Sequence, residues 1–532
     1  MTWGELLRRR WAVLRALVAD AWAVASVRRG MVASLLLALG AISPAYLPEN
    51  SPWYDIVPYL NTPPMRALAT GLTLFGVIML ADAWFQLRPR IGRPLVDMRV
   101  VVALWTLPML FAPPVFSDDS YAYAAEGWLI HNGVNPYNEG GVSQIPGVWA
   151  EQVIPIWRYT PAPYGPVALQ INHLVVDLFG FNPYWSSTLG MRLLSMISMV
   201  VVAACLPALA RRVGADPRLA LWFAIANPVV MIHVIGGAHN DAVMLALLAL
   251  ALWMANKGRF LVGCLLVAAA TAVKIPAIVG VVPVALLAMP PQPAGRASTL
   301  ARQWHSALVV AVGTVATVIA FVVISLACGL GWGWVQGLNV PGMVSTIAPT
   351  TMLGEIVQNA LNELGYYDIA RRVVRIFRQV GMIITVFGVL YLYFRHAYRR
   401  PIDFLAYALV AITMGGPALH PWYLTWWGTF LPLTHFSRRV VRLSCWGVII
   451  VLAFSFLQYA DRNSQGIIGM VGMLAIVWAG WANDRLAFGG PPNGGGAGPS
   501  GRLRPEELRP DAFRYEPPSR RPDRRLVTGS TR

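Results

Sequence analysis

The sequence predicts an all-α polytopic membrane protein, and three observations lead there. Of 532 residues, 56% are hydrophobic and only 13% charged. Mean hydropathy is +0.54. Apolar stretches about as long as a bilayer is thick, roughly 17–25 residues, recur along most of the chain. Taken in order, 14 candidate spans fall near 30–47, 67–87, 99–116, 187–210, 217–236, 240–256, 259–275, 276–290, 306–330, 376–395, 403–419, 421–436, 443–460 and 465–482. The stretch 162–180 is set apart as an interfacial or re-entrant helix. Gln170, Asn172, His173 and Asp177 interrupt it, and counting it as a span would carry Arg211 and Arg212 outside.

Length alone would allow several soluble domains. The apolar runs instead make 30–482 one membrane domain. Residues 1–29 before it are basic and amphipathic, and are expected to lie along the inner leaflet rather than form a cleaved signal. After it, 483–532 form a Pro/Gly/Arg-rich tail with too little apolar surface to fold. The four cysteines stand in apolar spans with no CxxC or metal-ligand spacing, so neither a disulfide framework nor a zinc site is predicted.

A net charge of +17 suits nucleic acid, but its distribution argues against that partner. Placing both termini inside puts nearly all the Lys and Arg in cytoplasmic loops or the tail, as the positive-inside rule requires. Nine remain for the outer side or its helix ends: Arg66, Arg158, Arg192, Lys274, Arg371, Arg372, Arg375, Arg378 and Arg462.

With this topology two ordered loops, 117–161 and 331–373, face outward, and the unusual polar residues gather on that face. Asp118 and Asp119, in Phe116-Ser-Asp-Asp-Ser-Tyr121, stand against the end of a span, where carboxylates are costly and mark function. Adjacent carboxylates also raise the pKa of one of them, which suits a general base. The plainer role for either is helix capping. Asp119, Tyr123 and Glu126 share one helical face. Lys274, one of two lysines, sits between apolar runs and needs an anion, such as a lipid phosphate, or else snorkels to the headgroups. Arg371, Arg372 and Arg375 suit phosphate or an anionic lipid surface equally well. His239, Asn240 and Asp241 open a span and suit sugar or phosphate contacts, with a helix cap as the simpler alternative. His420 and Trp422 lie in an aromatic run that either stacks on sugar or belongs to the interface belt. No GxGxxG or Walker loop occurs, so a sugar donor would be lipid-borne rather than a nucleotide.

These motifs resemble the actinobacterial polyprenol-phosphate-mannose-dependent α-(1→6)-mannosyltransferases, membrane enzymes of GT-C type. The residues that carry the likeness are Val115–Tyr121 with Gly133-Val-Asn-Pro-Tyr137, and Thr160–Pro166 preceded by Trp157. Asn227-Pro228, Gly237–Asp241, Val273–Pro276 and Pro421–Tyr423 continue it in order. The resemblance implies a GT-C-like bundle and an inverting transfer of mannose from polyprenyl-phosphate-mannose to a lipid-anchored mannan in lipomannan and lipoarabinomannan core synthesis. It places the site on the outer face of the plasma membrane and requires no metal or other cofactor. Asp119 falls on the base position, with Asp118 its nearest rival. Lys274, Arg158, Arg371, Arg372, Arg375 and His239 are expected at the donor phosphate. Tyr123, Glu126, Asn240, Asp241, His420 and Trp422 are expected at the acceptor or sugar. Family members often carry Asp at the position of Asn135 and Glu at that of Asp241, and either departure bears on sugar or acceptor choice. A transferase for another polyprenyl-phosphate sugar, such as arabinose, is the neighbouring alternative. A lipid-linked-sugar flippase is the alternative from another class and would call for discontinuous helices and repeat symmetry.

Overall fold

The computed structural model describes residues 2–89, 96–289, 299–338, 340 and 346–488, so most of the tail and part of the 331–373 loop lie outside it. Among the described residues every regular element is helical. Six helices are long and apolar enough to cross a bilayer: Pro63–Gln86, Pro183–Val213, Gln303–Ala327, Tyr367–Ala397, Arg438–Arg462 and Gly466–Phe488. Two sharply bent helix pairs raise the number to eight at most. Ile384, Phe387, Leu390 and Tyr391 on one of these helices are exposed, as a lipid-facing surface requires. The chain is therefore an all-helical membrane protein.

The long helices do not reach the expected 14, and prolines explain much of the shortfall. The stretch 421–436 is no span: it divides into a turn at Pro421–Tyr423, a short helix Leu424–Gly428 and a second turn at Leu431–Leu433. Pro421 and Pro432 lack the amide hydrogens a continuous helix needs. At 276–290, Pro276 opens a tight turn, Ile275–Gly280, before the short helix Val281–Leu287. The span expected at 217–236 is likewise cut after Ala224, ahead of Asn227-Pro228. At the N-terminus, a Thr2–Glu5 capping box starts helix Trp3–Ala23, which bends by 86° into Ala25–Gly40. The stretch 162–180 contains a 14-residue helix, Pro166–Phe179, whose Asn172 side chain hydrogen-bonds Glu126 on Asp119–His131.

Two buried devices hold the bundle together at its two ends. Toward one end, Trp84 and Trp222 stack with ring centroids 4.5 Å apart. Each indole N–H donates to the other residue's carbonyl, at 3.1 and 2.8 Å. Toward the other, Arg192 is fully buried and has no carboxylate partner among the described residues. Its guanidinium donates to the carbonyls of Leu110, Ala112 and Pro113 on one side and of Ile235 and Gly236 on the other. One cation thus ties the segment entering Asp118 and Asp119 to the turn entering His239. A direct bond from Val115 N to Gly236 O, at 3.0 Å, closes the seam.

Arg192→Met keeps most of the volume and strands the Leu110, Ala112 and Pro113 carbonyls, while Ile235 and Gly236 still accept from the Ala238 and Val115 amides. Unsatisfied buried polar groups cost about 1–3 kcal/mol each, so a loss of roughly 3 kcal/mol or more is expected. Thermal unfolding of the detergent-purified protein checks this, and an unchanged midpoint would deny the clamp.

Candidate active site

The segments joined by Arg192 both use left-handed backbone. Phe116 has φ 57° and Ala238 has φ 56°, uncommon for residues with a Cβ. The first turns the chain so that Asp119 starts helix Asp119–His131, with Ser117 Oγ accepting from the Asp119 amide at 3.1 Å. The second sits where Val230–Gly236 and Asp241–Asn256 meet at 105°. His239 and Asn240 stand in that break. Gly237 is required there, because a Cβ would press on the His233 carbonyl at 2.6 Å.

The two strands of chemistry then meet. Asp119 Oδ2 lies 3.6 Å from His239 Nδ1. The Tyr123 hydroxyl bridges them, donating to Asp119 Oδ2 at 3.4 Å and lying 3.3 Å from His239 Nδ1. A hydroxyl carries one hydrogen, so in that arrangement His239 donates from Nδ1 and Nε2 is left as a lone pair. That Nε2 is buried without a hydrogen-bond partner, as are both polar atoms of the Asn240 amide.

The adjacent aspartates have different environments. Asp118 forms an ion pair with Arg462 at 2.8 Å, and Arg462 lies over the Tyr46 ring. Asp119 has no such partner, and its side chain is 17% exposed. Burial, reinforced by the charge of Asp118, pushes the Asp119 carboxyl up to about 7, against the smaller opposing pull of Lys274. Glu126 lies two turns along on the same helix and is buried. It accepts from Asn172 Nδ2 at 3.3 Å, and burial drives its carboxyl well above the usual range. It is thus an interior hydrogen-bonding group rather than the acceptor contact the sequence suggested.

Lys274 and Asp241 are brought together as a pair. Lys274 Nζ donates to both Asp241 oxygens, at 2.9 and 2.8 Å, and the Trp426 indole donates to Oδ1 at 2.5 Å. Tyr164, Tyr423 and Trp426 surround the ammonium, with Nζ 4.8 Å from the Tyr423 ring centroid. The Tyr164 wall is set by backbone bonds from Gly165 N to Val273 O and from Val167 N to Ala272 O. Only glycine fits at 165, because a Cβ would overlap the Ala272 carbonyl. The expected division, Lys274 for phosphate and Asp241 for sugar, is therefore a single neutral pair before any ligand arrives. Trp422 is likewise engaged: it stacks on His239 at 3.8 Å and on His420 at 4.7 Å, and these imidazoles compete with a sugar for its faces.

The remaining predicted phosphate ligands are not assembled. Arg158 donates to the carbonyls of Val153 and Glu151 within its own loop. Arg371 pairs with Asp368 on the exposed start of its helix, and Arg372 and Arg375 are exposed beside it. None of the four is joined to the Asp119–His239 cluster by a contact among the described residues. Sequence reasoning singled out Tyr423 beside Trp422 for stacking and missed Arg462, Tyr164, Trp426 and Arg192. Arg462 and Arg192 carried one signal, their place among the few basic residues assigned outside. The aromatic residues carried none beyond their neighbours.

Fold and site together define an integral membrane protein with a buried cluster of carboxylate, phenol and imidazole groups beside its apolar helices. The description "Alpha-(1->6)-mannopyranosyltransferase, N-terminal domain" matches residues 27–290, and "MptB C-terminal domain" matches residues 350–482. The chain is 28% identical over 451 residues to "Alpha-(1->6)-mannopyranosyltransferase A" of Corynebacterium glutamicum, covering 78% of this chain and 88% of that one. It is 28% identical over 440 residues to the protein of the same name in Mycobacterium tuberculosis, covering 80% and 83%. A further alpha-(1->6)-mannopyranosyltransferase of that organism is 29% identical over 482 residues, covering 77% and 78%. The chain belongs to the alpha-(1->6)-mannopyranosyltransferase family, and by that membership it is a glycosyltransferase.

If Asp119 must be ionised to act, kcat/KM rises with pH through about 7. Asp118→Asn removes the like charge and frees Arg462, so the acid limb moves to lower pH. Arg462→Gln leaves Asp118 unneutralised and moves it to higher pH. Glycosyl transfer measured across pH in membranes checks both signs, and coincident limbs in all three proteins would remove Asp119 from the titration.

Proposed function

We propose that this protein is an inverting membrane mannosyltransferase. It moves mannose from polyprenyl-phosphate-mannose to a lipid-anchored alpha-(1->6)-mannan in lipomannan and lipoarabinomannan core synthesis. Its site faces outward from the plasma membrane and both termini are cytoplasmic. The names of the relatives support the sugar and linkage, and the positive-inside pattern supports the orientation. On this reading the shorter apolar helices contribute crossings that complete a GT-C-like bundle of about 14, as the apolar runs suggest.

One observation carries the chemistry: of two adjacent aspartates, Asp118 is neutralised by Arg462, while Asp119 is left with a raised pKa beside His239. A carboxylate poised near neutrality is suited to take a proton from a hydroxyl. In the proposed step Asp119 accepts the proton of an acceptor mannose hydroxyl as its oxygen attacks the anomeric carbon. The bond to the lipid phosphate breaks with its electron pair, and configuration inverts from β to α. The departing phosphate is met by Lys274, whose third N–H is free of the Asp241 pair, and by His239 once its hydrogen sits on Nε2 and Nδ1 accepts from Tyr123. Asn240, Asp241, His420 and Trp422 line the sugar side, and Tyr123 holds the base and imidazole in register.

The break at Gly237–Asn240 also favours a second reading, since discontinuous helices are what carriers of lipid-linked sugars use at their binding sites. The assay separates the two. Membranes with wild type or Asp119→Asn receive labelled polyprenyl-phosphate-mannose and a short α-(1→6)-mannoside, and elongation is followed. Wild type is expected to elongate the acceptor with inversion, and the variant to be slower by about 10²–10⁴-fold, the usual contribution of a general base. Asp119→Asn should not unfold the protein. A carboxyl whose pKa is raised on folding loses stability as pH rises from about 4 toward 7, and the amide does not. Wild type that moves the lipid between leaflets without elongating the acceptor would sink the transferase.

A further inference from the structure

At the far end of helix Asp119–His131, about 18 Å from Asp119 at 1.5 Å per residue, three side chains converge that the proposed reaction does not use. His131 Nδ1 lies 2.7 Å from Asp177 Oδ1. His173 Nε2 lies 3.4 Å from the same oxygen. All three donor atoms fall within 4.8 Å of one another. His173 and Asp177 stand one turn apart on helix Pro166–Phe179, and His131 reaches them from its neighbour.

The hydrogens around His173 can be assigned. Gln170 Nε2 donates to the Cys328 carbonyl at 2.7 Å, which leaves Gln170 Oε1 facing His173 Nδ1 at 3.3 Å. An amide oxygen only accepts, so Nδ1 bears the hydrogen and Nε2 of the neutral ring is a lone pair. That lone pair faces a carboxylate oxygen. Two acceptors meet there, and a cation between them resolves the conflict. An imidazole that donates from one nitrogen to an oxygen and offers the other is the usual state of a metal-ligating histidine. His131 is held as well: its ring stacks on Trp128 at 5.2 Å, and Trp128 stacks on Trp149 at 4.7 Å.

We propose that His131, His173 and Asp177 form a divalent-metal site that staples the end of the Asp119 helix to helix Pro166–Phe179. Two imidazoles and one carboxylate suit zinc, where magnesium and calcium take oxygen ligands. His131 is 45% and Asp177 43% exposed, so water completes the coordination. Two ligands on a tetrahedral zinc at about 2.0–2.1 Å stand roughly 3.3 Å apart. Binding therefore draws Asp177 slightly away from His131. The metal is distant from the reacting carboxylate, and its role is to fix the helix that carries it.

The test uses full-length protein purified in detergent without a histidine tag, stripped with EDTA and loaded with ZnCl2. After gel filtration, about one zinc per chain is expected in the wild type, with a higher unfolding midpoint than the stripped protein. Gln170→Ala leaves all three ligands in place and is expected to weaken zinc affinity about 10–100-fold, as loss of a partner to a ligating histidine does. His173→Gln and Asp177→Asn are expected to abolish stoichiometric binding. Wild type that retains no more zinc than the His131→Gln/His173→Gln double variant would overturn the site, whatever the folding of the variants.

Discussion

The candidate site depends on a guanidinium that touches no acid. Burying Arg192 without a counter-ion is costly, and only a dense set of oriented carbonyls offsets it. Five are supplied, by two segments far apart in sequence. Both segments then enter left-handed turns, at Phe116 and Ala238. Such backbone persists only where the surroundings over-determine it. The clamp supplies that constraint, and each turn delivers one half of the Asp119–His239 contact.

Charge is distributed with the same economy. Asp118 is paired with Arg462 and Asp241 with Lys274, so the centre contains neutral pairs before any substrate enters. Asp119 is the exception. Burial, and after it the proximity of Asp118, raises its proton affinity. The aromatic walls around Lys274 keep the ammonium in place and leave one hydrogen for a ligand.

Much of this was legible in the sequence, and the limits have physical causes. The all-helical membrane class follows from apolar runs that no soluble fold needs. The aspartate pair, His239, Lys274 and Trp422 stood out because polar groups beside apolar spans are expensive. Breaks within the spans were not legible, because an apolar run reports burial, not helix continuity. At 421–436 it is Pro421 and Pro432 that break the run. Pairings were not legible either. Nothing along the chain joins Asp118 to Arg462 or Asp241 to Lys274, since those separations are closed only by the fold. The surroundings of Glu126 were hidden for a related reason. A shared helical face does not tell whether it looks into a cleft or into a neighbouring helix, and here Asn172 lies against it.

The two departures from the family pattern are of different kinds. Asn135 donates from Nδ2 to the Leu330 carbonyl at 3.0 Å, while its Oδ1 accepts from the Tyr137 amide at 3.0 Å. An aspartate could accept but not donate, and would face the Leu330 carbonyl with a negative charge. Asn135 thus ties the loop after helix Asp119–His131 to the segment that follows helix Gln303–Ala327, and no ion pair joins it to Asp119. Asp241 is the opposite case. Its short side chain already reaches both Lys274 and Trp426. A glutamate would add a methylene and push the ammonium outward or swing the carboxylate off the indole. The position of the Lys274 ammonium is therefore set by the length of residue 241. In the proposed reaction, this is the departure placed to alter how a donor phosphate, and through it the anomeric carbon, would be presented to Asp119.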